Sequence, residues 1–298
     1  MNKIRRSIHF VPGGNDKMFG KALGLAADGL ILDLEDSVPA ANKEPVRDAV
    51  CEWLRSADFG SQQKLVRINS LDTQWCLPDL EAVVPLRPDA IVLPKAFDEK
   101  TIASIDSCML NIEKQAGLES RSVKLLLIGT EEAGAVFNLH NMANHPRVDG
   151  LSWGAEDLSV SLGARAKRDA DGNYLDVFRY ARSMTLLAAV AAGVQPIDAV
   201  FVEINNIAGL RKECNDAANM GFTGKFTVHP DQIELVNEAF TPTAEEISYA
   251  AELVDAFAEH EKAGRMAFSF RGEMVDVPHL KRAQRVLAFV RQLAAQTG

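Results

Sequence analysis

The chain lacks any apolar run close to the roughly 20 residues that a membrane-crossing helix requires, which argues against a helical membrane protein. It also lacks a surplus of positive charge. Lys and Arg number 32 against 41 Asp and Glu, for a net charge of −9. General nucleic-acid binding needs a basic face and is excluded, although a local basic pocket for a phosphorylated ligand is not. Cysteine is scarce: Cys51, Cys76, Cys108 and Cys214 stand far apart with no paired spacing. The expected setting is a reducing cytoplasm, and the expected role of these thiols is passive packing. The basic start, Met1 to Arg6, has no apolar segment behind it before Pro12-Gly13-Gly14 interrupts the chain, so a secretory signal is not expected. Internal repeats and low-complexity stretches are missing as well.

What is present is ordinary for a globular protein, with 47% hydrophobic and 24% charged residues over 298 positions. Eight short apolar runs alternate with longer amphipathic stretches such as Pro45 to Ser56 and Tyr180 to Ala192. The runs are Ile8 to Val11, Gly29 to Leu34, Leu65 to Ile68, Ala90 to Leu93, Leu125 to Ile128, Gly150 to Trp153, Ala199 to Val202 and Phe226 to Val228. Strand–helix alternation of this kind predicts parallel βαβ units. Eight of them predict a (β/α)8 TIM barrel over residues 1–240, with an open doubly wound sheet as the alternative. The remaining stretch, 241–298, is too short for an ordinary second domain. Thr243 to His260 reads as a helix opened by a capping box at Thr243 and Glu246. Gly264 to Phe270 reads as a hairpin or turn, and Val277 to Ala294 as a last helix. Together they predict a C-terminal helical lid or oligomerisation arm.

In barrels, chemistry sits at the C-terminal ends of the strands. The fifth run leads into Gly129-Thr130-Glu131-Glu132 and the sixth into Gly154-Ala155-Glu156-Asp157. Neighbouring strands lie about 4.8 Å apart, so carboxylates at these two ends can share one divalent cation. Hard oxygen ligands suit Mg2+ or Mn2+ better than zinc. The second strand ends in Asp33-Leu34-Glu35-Asp36. Alternation places Asp33 and Glu35 on one face, while Asp36 either joins them or caps the next helix. Arg67 stands between aliphatic residues at the third strand end, suited to a carboxylate or enolate oxygen. Lys95 leaves the fourth. After the first strand, Pro12-Gly13-Gly14 opens a helix carrying Lys17 and Lys21 one turn apart. That is either an anion-binding turn or a tight turn with two solvated lysines. His229 ends the eighth run and reads more readily as a structural histidine than as a catalytic one. Acids at strands two, five and six with cations at three and four describe a metal flanked by anion binders, which suits enolate chemistry beside a 2-oxo acid.

These segments resemble the citrate lyase β-subunit (CitE-like) group of the HpcH/HpaI aldolase superfamily. The resemblance runs through Arg5 to Gly13, Leu32 to Val38, Val66 to Asn69, Gly154 to Leu158, Val228 to Ile233, Asn237 to Pro242 and Gly272 to Pro278. It covers essentially the whole chain in order. It implies Mg2+ dependence and cleavage or formation of a carbon–carbon bond in a 3-hydroxyacyl-CoA, such as citryl-, malyl- or citramalyl-CoA, giving an acyl-CoA and a 2-oxo acid. Glu131 and Asp157 match the two metal ligands of the group, and Arg67 the arginine beside the metal. Asp276 matches a lid aspartate that a neighbouring subunit commonly contributes, within a homotrimer or hexamer. Glu35 and Asp36 would orient water or Arg67. Pro12, Gly13, Lys17 and Lys21 match the coenzyme A edge; Lys95 is a candidate substrate contact from its place as a cation at the fourth strand end. The alternatives are a CoA-independent aldolase of the same superfamily and the β-subunit of a citrate lyase complex working on a carrier-bound acyl group. Two departures stand out. Relatives often read Glu-Thr where this chain has Glu131-Glu132. Asn205 and Asn206 follow the seventh strand where relatives often carry an aspartate.

Overall fold

The computed structural model describes residues 4–262 and 264–297. Met1 to Lys3 of the basic start and Gly298 of the arm lie outside the described residues. Arg5–Phe240 and the residues from Thr241 onward form two separate compact units.

The first unit is a closed barrel of eight parallel strands in sequence order. These are β1 (Ser7–Pro12), β2 (Gly29–Asp33), β3 (Gln63–Arg67), β4 (Ala90–Leu93), β5 (Lys124–Ile128), β6 (Val148–Ser152), β7 (Gln195–Asp198) and β8 (Gly224–Thr227). The helices of this unit are α1 (Asp16–Ala22), α2 (Lys43–Ser56), α3 (Cys76–Val83), α4 (Glu99–Gln115), α5 (Leu139–Ala143), α6 (Ala155–Leu162), α7 (Asp176–Ala192), α8 (Ile207–Met220) and α9 (Ile233–Ala239). Period-2 alternation divides the strand side chains between two cores. Ile8, Ile31, Leu65, Leu126, Ile197 and Phe226 fill the barrel interior. Leu30, Leu32, Val66, Ile91, Leu127 and Leu151 face the helices. Both faces being buried explains why the strands read as nearly continuous apolar runs. All four cysteines are free thiols, and burial pushes those of Cys76 and Cys214 up to about 12.

One strand is not where the sequence places it. The apolar run Ala199 to Val202 is a loop, and β7 is Gln195–Asp198. Pro196 and Asp198 disguise it, because neither residue favours a central strand. Pro196 needs no N–H of its own here and offers its carbonyl to Thr223 N at 3.1 Å. Asp198 is fully buried between β7 and the helices. It accepts from Lys225 Nζ at 2.8 Å, from Arg182 Nε and Nη2 at 3.0 and 2.9 Å, and from Trp153 Nε1 at 2.8 Å. Burial works against its charge, but Lys225 and Arg182 outweigh it and hold the carboxyl well below the usual carboxylate range. Removing one partner of such a cluster strands the others without water. Asp198→Ala is therefore expected to cost about 3–5 kcal/mol, read as a lowered urea midpoint at unchanged slope. A loss below about 1 kcal/mol, the worth of an exposed pair, would refute this account of β7.

The second unit contains α10 (Ala244–Lys262), a hairpin of β9 (Phe268–Phe270) and β10 (Glu273–Val275), and α11 (Val277–Thr297). The capping box at its start is formed: Glu246 N donates to Thr243 Oγ1 at 3.2 Å and Thr243 N to Glu246 Oε2 at 2.7 Å. Its small core joins Leu253, Phe257, Val275 and Ala283. Phe268 packs edge-on to Phe257, with centroids 4.7 Å apart.

Candidate active site

The site is assembled at the C-terminal ends of β2 to β6. Parallel pairing aligns Asp33 with Arg67, and both side chains follow interior residues, Ile31 and Leu65, by two positions. Arg67 Nε and Nη2 donate to the two oxygens of Asp33 at 2.7 and 2.8 Å. Its Nη1 lies 3.1 Å from Glu35 and 3.4 Å from Asp36. The guanidinium stacks over Phe10 at 4.8 Å. Burial opposes its charge, yet Asp33, Glu35 and Asp36 together push its pKa above the usual arginine value. For Asp33 burial is again outweighed by Arg67, and the carboxyl is held below its usual range. For Glu35 the balance is reversed: burial raises its pKa despite Arg67 and Lys95.

Glu35 is the middle of the group. Its Oε1 accepts from Lys95 Nζ at 2.5 Å. Its Oε2, although near Arg67, is buried without an aligned hydrogen bond. Lys95 turns its main-chain N–H to Glu131 Oε2. The loop carrying Glu35 is held from below by Lys43, whose buried ammonium donates to the carbonyls of Leu34 and Glu35, at 2.8 Å each, and to Asn69 Oδ1 at 2.6 Å.

Glu131 is 4% exposed, whereas Glu132 is exposed to solvent. Thr130 Oγ1 accepts from Gly154 N at 3.0 Å, tying the end of β5 to that of β6. A side chain at Gly154 would meet Glu131 Cγ at 2.8 Å, so glycine lets the carboxylate approach α6. Asp157 lies in the first turn of that helix, half-buried, where the helix N-terminus favours a negative charge. Burial pushes Glu131 up to about 8, the Lys95 N–H offsets part of this, and Glu35 and Asp157 add to it.

The charge of this arrangement suits a hard divalent cation. A carboxyl whose pKa burial, and secondarily two acidic neighbours, raise above neutrality gains from neutralisation by a cation. Among the described residues, no group of three or more His, Cys, Asp or Glu side chains is placed to hold a metal ion. Two carboxylates alone leave most of an octahedron to water and substrate, the habit of Mg2+ rather than of zinc.

The other expected site residues belong to β1, to the turn and helix after it, and to the second unit. Pro12 ends β1, and Gly13 N donates to Asp33 O at 3.0 Å. A Cβ on Gly13 would run into that same carbonyl and into Val46. Lys17 and Lys21 stand exposed on α1, whose N-terminal amide at Met18 is capped by Asn15 at 3.1 Å. Asp276 belongs to the second unit, where its Oδ1 lies 2.6 Å from His279 Nδ1. His229 caps the turn after β8. Lys43 and Asp33 carry more of the site than the sequence discloses. The alternation that paired Asp33 with Glu35 was the signal for Asp33, and nothing distinguishes Lys43 from a solvated helix lysine.

A closed parallel barrel with acidic side chains and a half-buried arginine at its strand ends suits a barrel enzyme of the aldolase–lyase type. Comparison with known proteins agrees. Residues 6–230 match the family described as HpcH/HpaI aldolase/citrate lyase, and the chain belongs to that family. It is 35% identical to the mitochondrial citramalyl-CoA lyase of Mus musculus, over 95% of this chain and 85% of that one. It is 36% identical to the citrate lyase subunit beta of Leuconostoc mesenteroides subsp. cremoris, over 96% and 93%. Among solved structures it is similar to CitE of Mycobacterium tuberculosis in complex with magnesium, acetoacetate and coenzyme A, with a TM-score of 0.78, 35% identity and coverage of 96% and 97%.

Proposed function

We propose that this protein is a Mg2+-dependent carbon–carbon lyase that cleaves, or in reverse forms, a 3-hydroxyacyl-CoA thioester of the citryl-, malyl- or citramalyl-CoA kind, with an acyl-CoA and a 2-oxo acid as the other side of the reaction. The observation that carries this reading is the burial of Glu131 within electrostatic reach of Glu35 and Asp157, with Glu35 in turn 3.1 Å from Arg67. Relatives that act on CoA thioesters over nearly the whole chain support the substrate class.

Glu131 and Asp157 would hold the cation, which would supply Lewis-acid polarisation of the hydroxy-acid oxygens and a template for them. The remaining work falls to the chain. Arg67 Nη1, the arm of the guanidinium not bound to Asp33, faces the developing thioester enolate and stabilises its charge. Glu35 and Asp36 hold that arm in place. Asp276 gives a proton to the acyl carbon in cleavage and removes it in condensation. Lys17 and Lys21, with the turn at Pro12 and Gly13, offer charge for the phosphates of coenzyme A. The second unit serves as lid and interface arm in a homotrimer or hexamer, and a neighbouring copy supplies Asp276.

The citrate lyase relative favours one second reading, in which the acyl group arrives on a carrier protein. Incubating the purified protein and Mg2+ with a panel of acyl-CoA and 2-oxo acid pairs separates the two. The expected result is product formation from a free CoA thioester that EDTA abolishes. Turnover of carrier-bound substrates alone would replace the reading by the second. Metal-dependent turnover of hydroxy-oxo acids without CoA would replace it by an aldolase.

A further inference from the structure

Lys95 has a backbone that lysine does not favour. Its φ is 49°, in the left-handed region where a Cβ crowds the following carbonyl. Such conformations persist where the surroundings impose them, and they gather at functional sites. The neighbouring residues show what the conformation achieves. Pro94 has no N–H, and Ala96 N returns to the barrel ladder at Ile128 O, 3.3 Å away. The Lys95 amide lies between them and is turned out of the ladder onto Glu131 Oε2. The side chain leaves in another direction and places its ammonium 2.5 Å from Glu35 Oε1. One residue therefore touches both the carboxylate assigned to the metal and the carboxylate that leans on Arg67.

We propose that Lys95 is a positioning residue with two separable functions: its left-handed main chain fixes Glu131 for metal binding, and its ammonium fixes Glu35, which in turn keeps Arg67 Nη1 in place for substrate. The proposal rests on the lyase reading for the identity of the metal and of the substrate. The two functions come apart because the first belongs to the backbone and survives side-chain truncation, while the second does not. In the absence of the ammonium, Glu35 is no longer fixed through Oε1, and its other oxygen, 3.1 Å from Arg67 Nη1, no longer keeps that arm in place. β-Branched side chains are the least tolerant of the left-handed region, so valine removes both functions.

The test compares Lys95→Ala, Lys95→Gly and Lys95→Val in the full chain. Mg2+ affinity is measured by calorimetry, kcat and KM by steady-state kinetics, and melting with and without metal. Alanine and glycine are expected to lower kcat about 10-fold or more, while Mg2+ affinity stays within about threefold of the parent, and valine is expected to weaken Mg2+ binding by about 10-fold or more as well. In the metal-free protein, glycine is expected to melt above alanine, the reverse of their usual order, because only glycine is unstrained at this φ. The backbone function is overturned if valine binds Mg2+ as tightly as alanine, or if glycine melts below alanine. The side-chain function is overturned if alanine keeps the parent kcat. A parent that binds no Mg2+ removes the metal reading instead, and the metal-free order of glycine and alanine still decides the backbone function.

Discussion

A Glu131→Gln protein is expected to lose turnover and, stripped of metal, to melt above the parent by a margin that widens between about pH 4.5 and pH 8. The sign follows from burial. In the folded state the Glu131 carboxyl is pushed from 4.5 up to about 8. Between those values the unfolded chain has released the proton and the folded chain has kept it. Fewer protons on the unfolded state mean that stability falls as pH rises. At about 1.36 kcal/mol per pKa unit, the parent gives up at most about 5 kcal/mol across this window. Glutamine has no such proton, and its amide oxygen still accepts from Lys95 N. The activity loss should reach about 10³-fold or more, because several kcal/mol of charge stabilisation leave with the ligand. Thermal melts at pH 5, 6.5 and 8 in EDTA, with a Mg2+ titration beside them, check both halves. Equal melting at all three values would show that Glu131 is not the strained group, and undiminished Mg2+ affinity would remove it from the metal site.

The second large effect belongs to Asp276. Asp276→Ala should slow deuterium wash-in at the acyl carbon of acetyl-CoA or propionyl-CoA, with oxalate and Mg2+ bound, by about 10²–10⁴-fold. Binding of oxalate itself should change little, since Glu131 and Asp157 are untouched. Mixing this variant with Glu131→Gln adds a sharper test of the arm. If a neighbouring copy supplies the aspartate, mixed oligomers contain intact sites built from one of each, and activity reappears in a mixture of two inactive proteins. Full exchange in the single variant would take Asp276 out of the mechanism. Exchange lost in the variant but never restored on mixing would place the aspartate over its own barrel.

The barrel was legible in the sequence because seven of its strands bury both faces and so advertise themselves as apolar runs. The seventh strand shows where that signal fails. Its pairing segment contains Pro196 and Asp198, and the aspartate is tolerable only because Lys225 and Arg182, 27 and 16 residues away in sequence, are folded against it. No local pattern reports such a partnership, so the eye settles on the more apolar Ala199 to Val202 next door. The site shows the same division. Carboxylates at strand ends are visible as types, and register then says which of them meet. What stays hidden is commitment: that Asp33 occupies two arms of Arg67, that Lys43 holds the loop of Glu35 from below, and that Lys95 approaches Glu131 with its backbone. Each depends on the direction of a main-chain turn, which side-chain chemistry does not encode.

The way the barrel closes has a consequence for how the chain is made. β1 pairs with β2 on one side and with β8 on the other, and Ser7 lies against Lys225. The two residues are 218 positions apart. A ribosome adding about 5–20 residues per second delivers the eighth strand about 10–45 s after the first. For that interval one side of β1 has no partner, and the inner face of a growing half-barrel is open to water. Contacts of such sequence separation are also the slow ones to form. Until Gly224–Thr227 emerges the strand edge has no shield of its own, and truncations that remove β8 should yield aggregates rather than a smaller barrel.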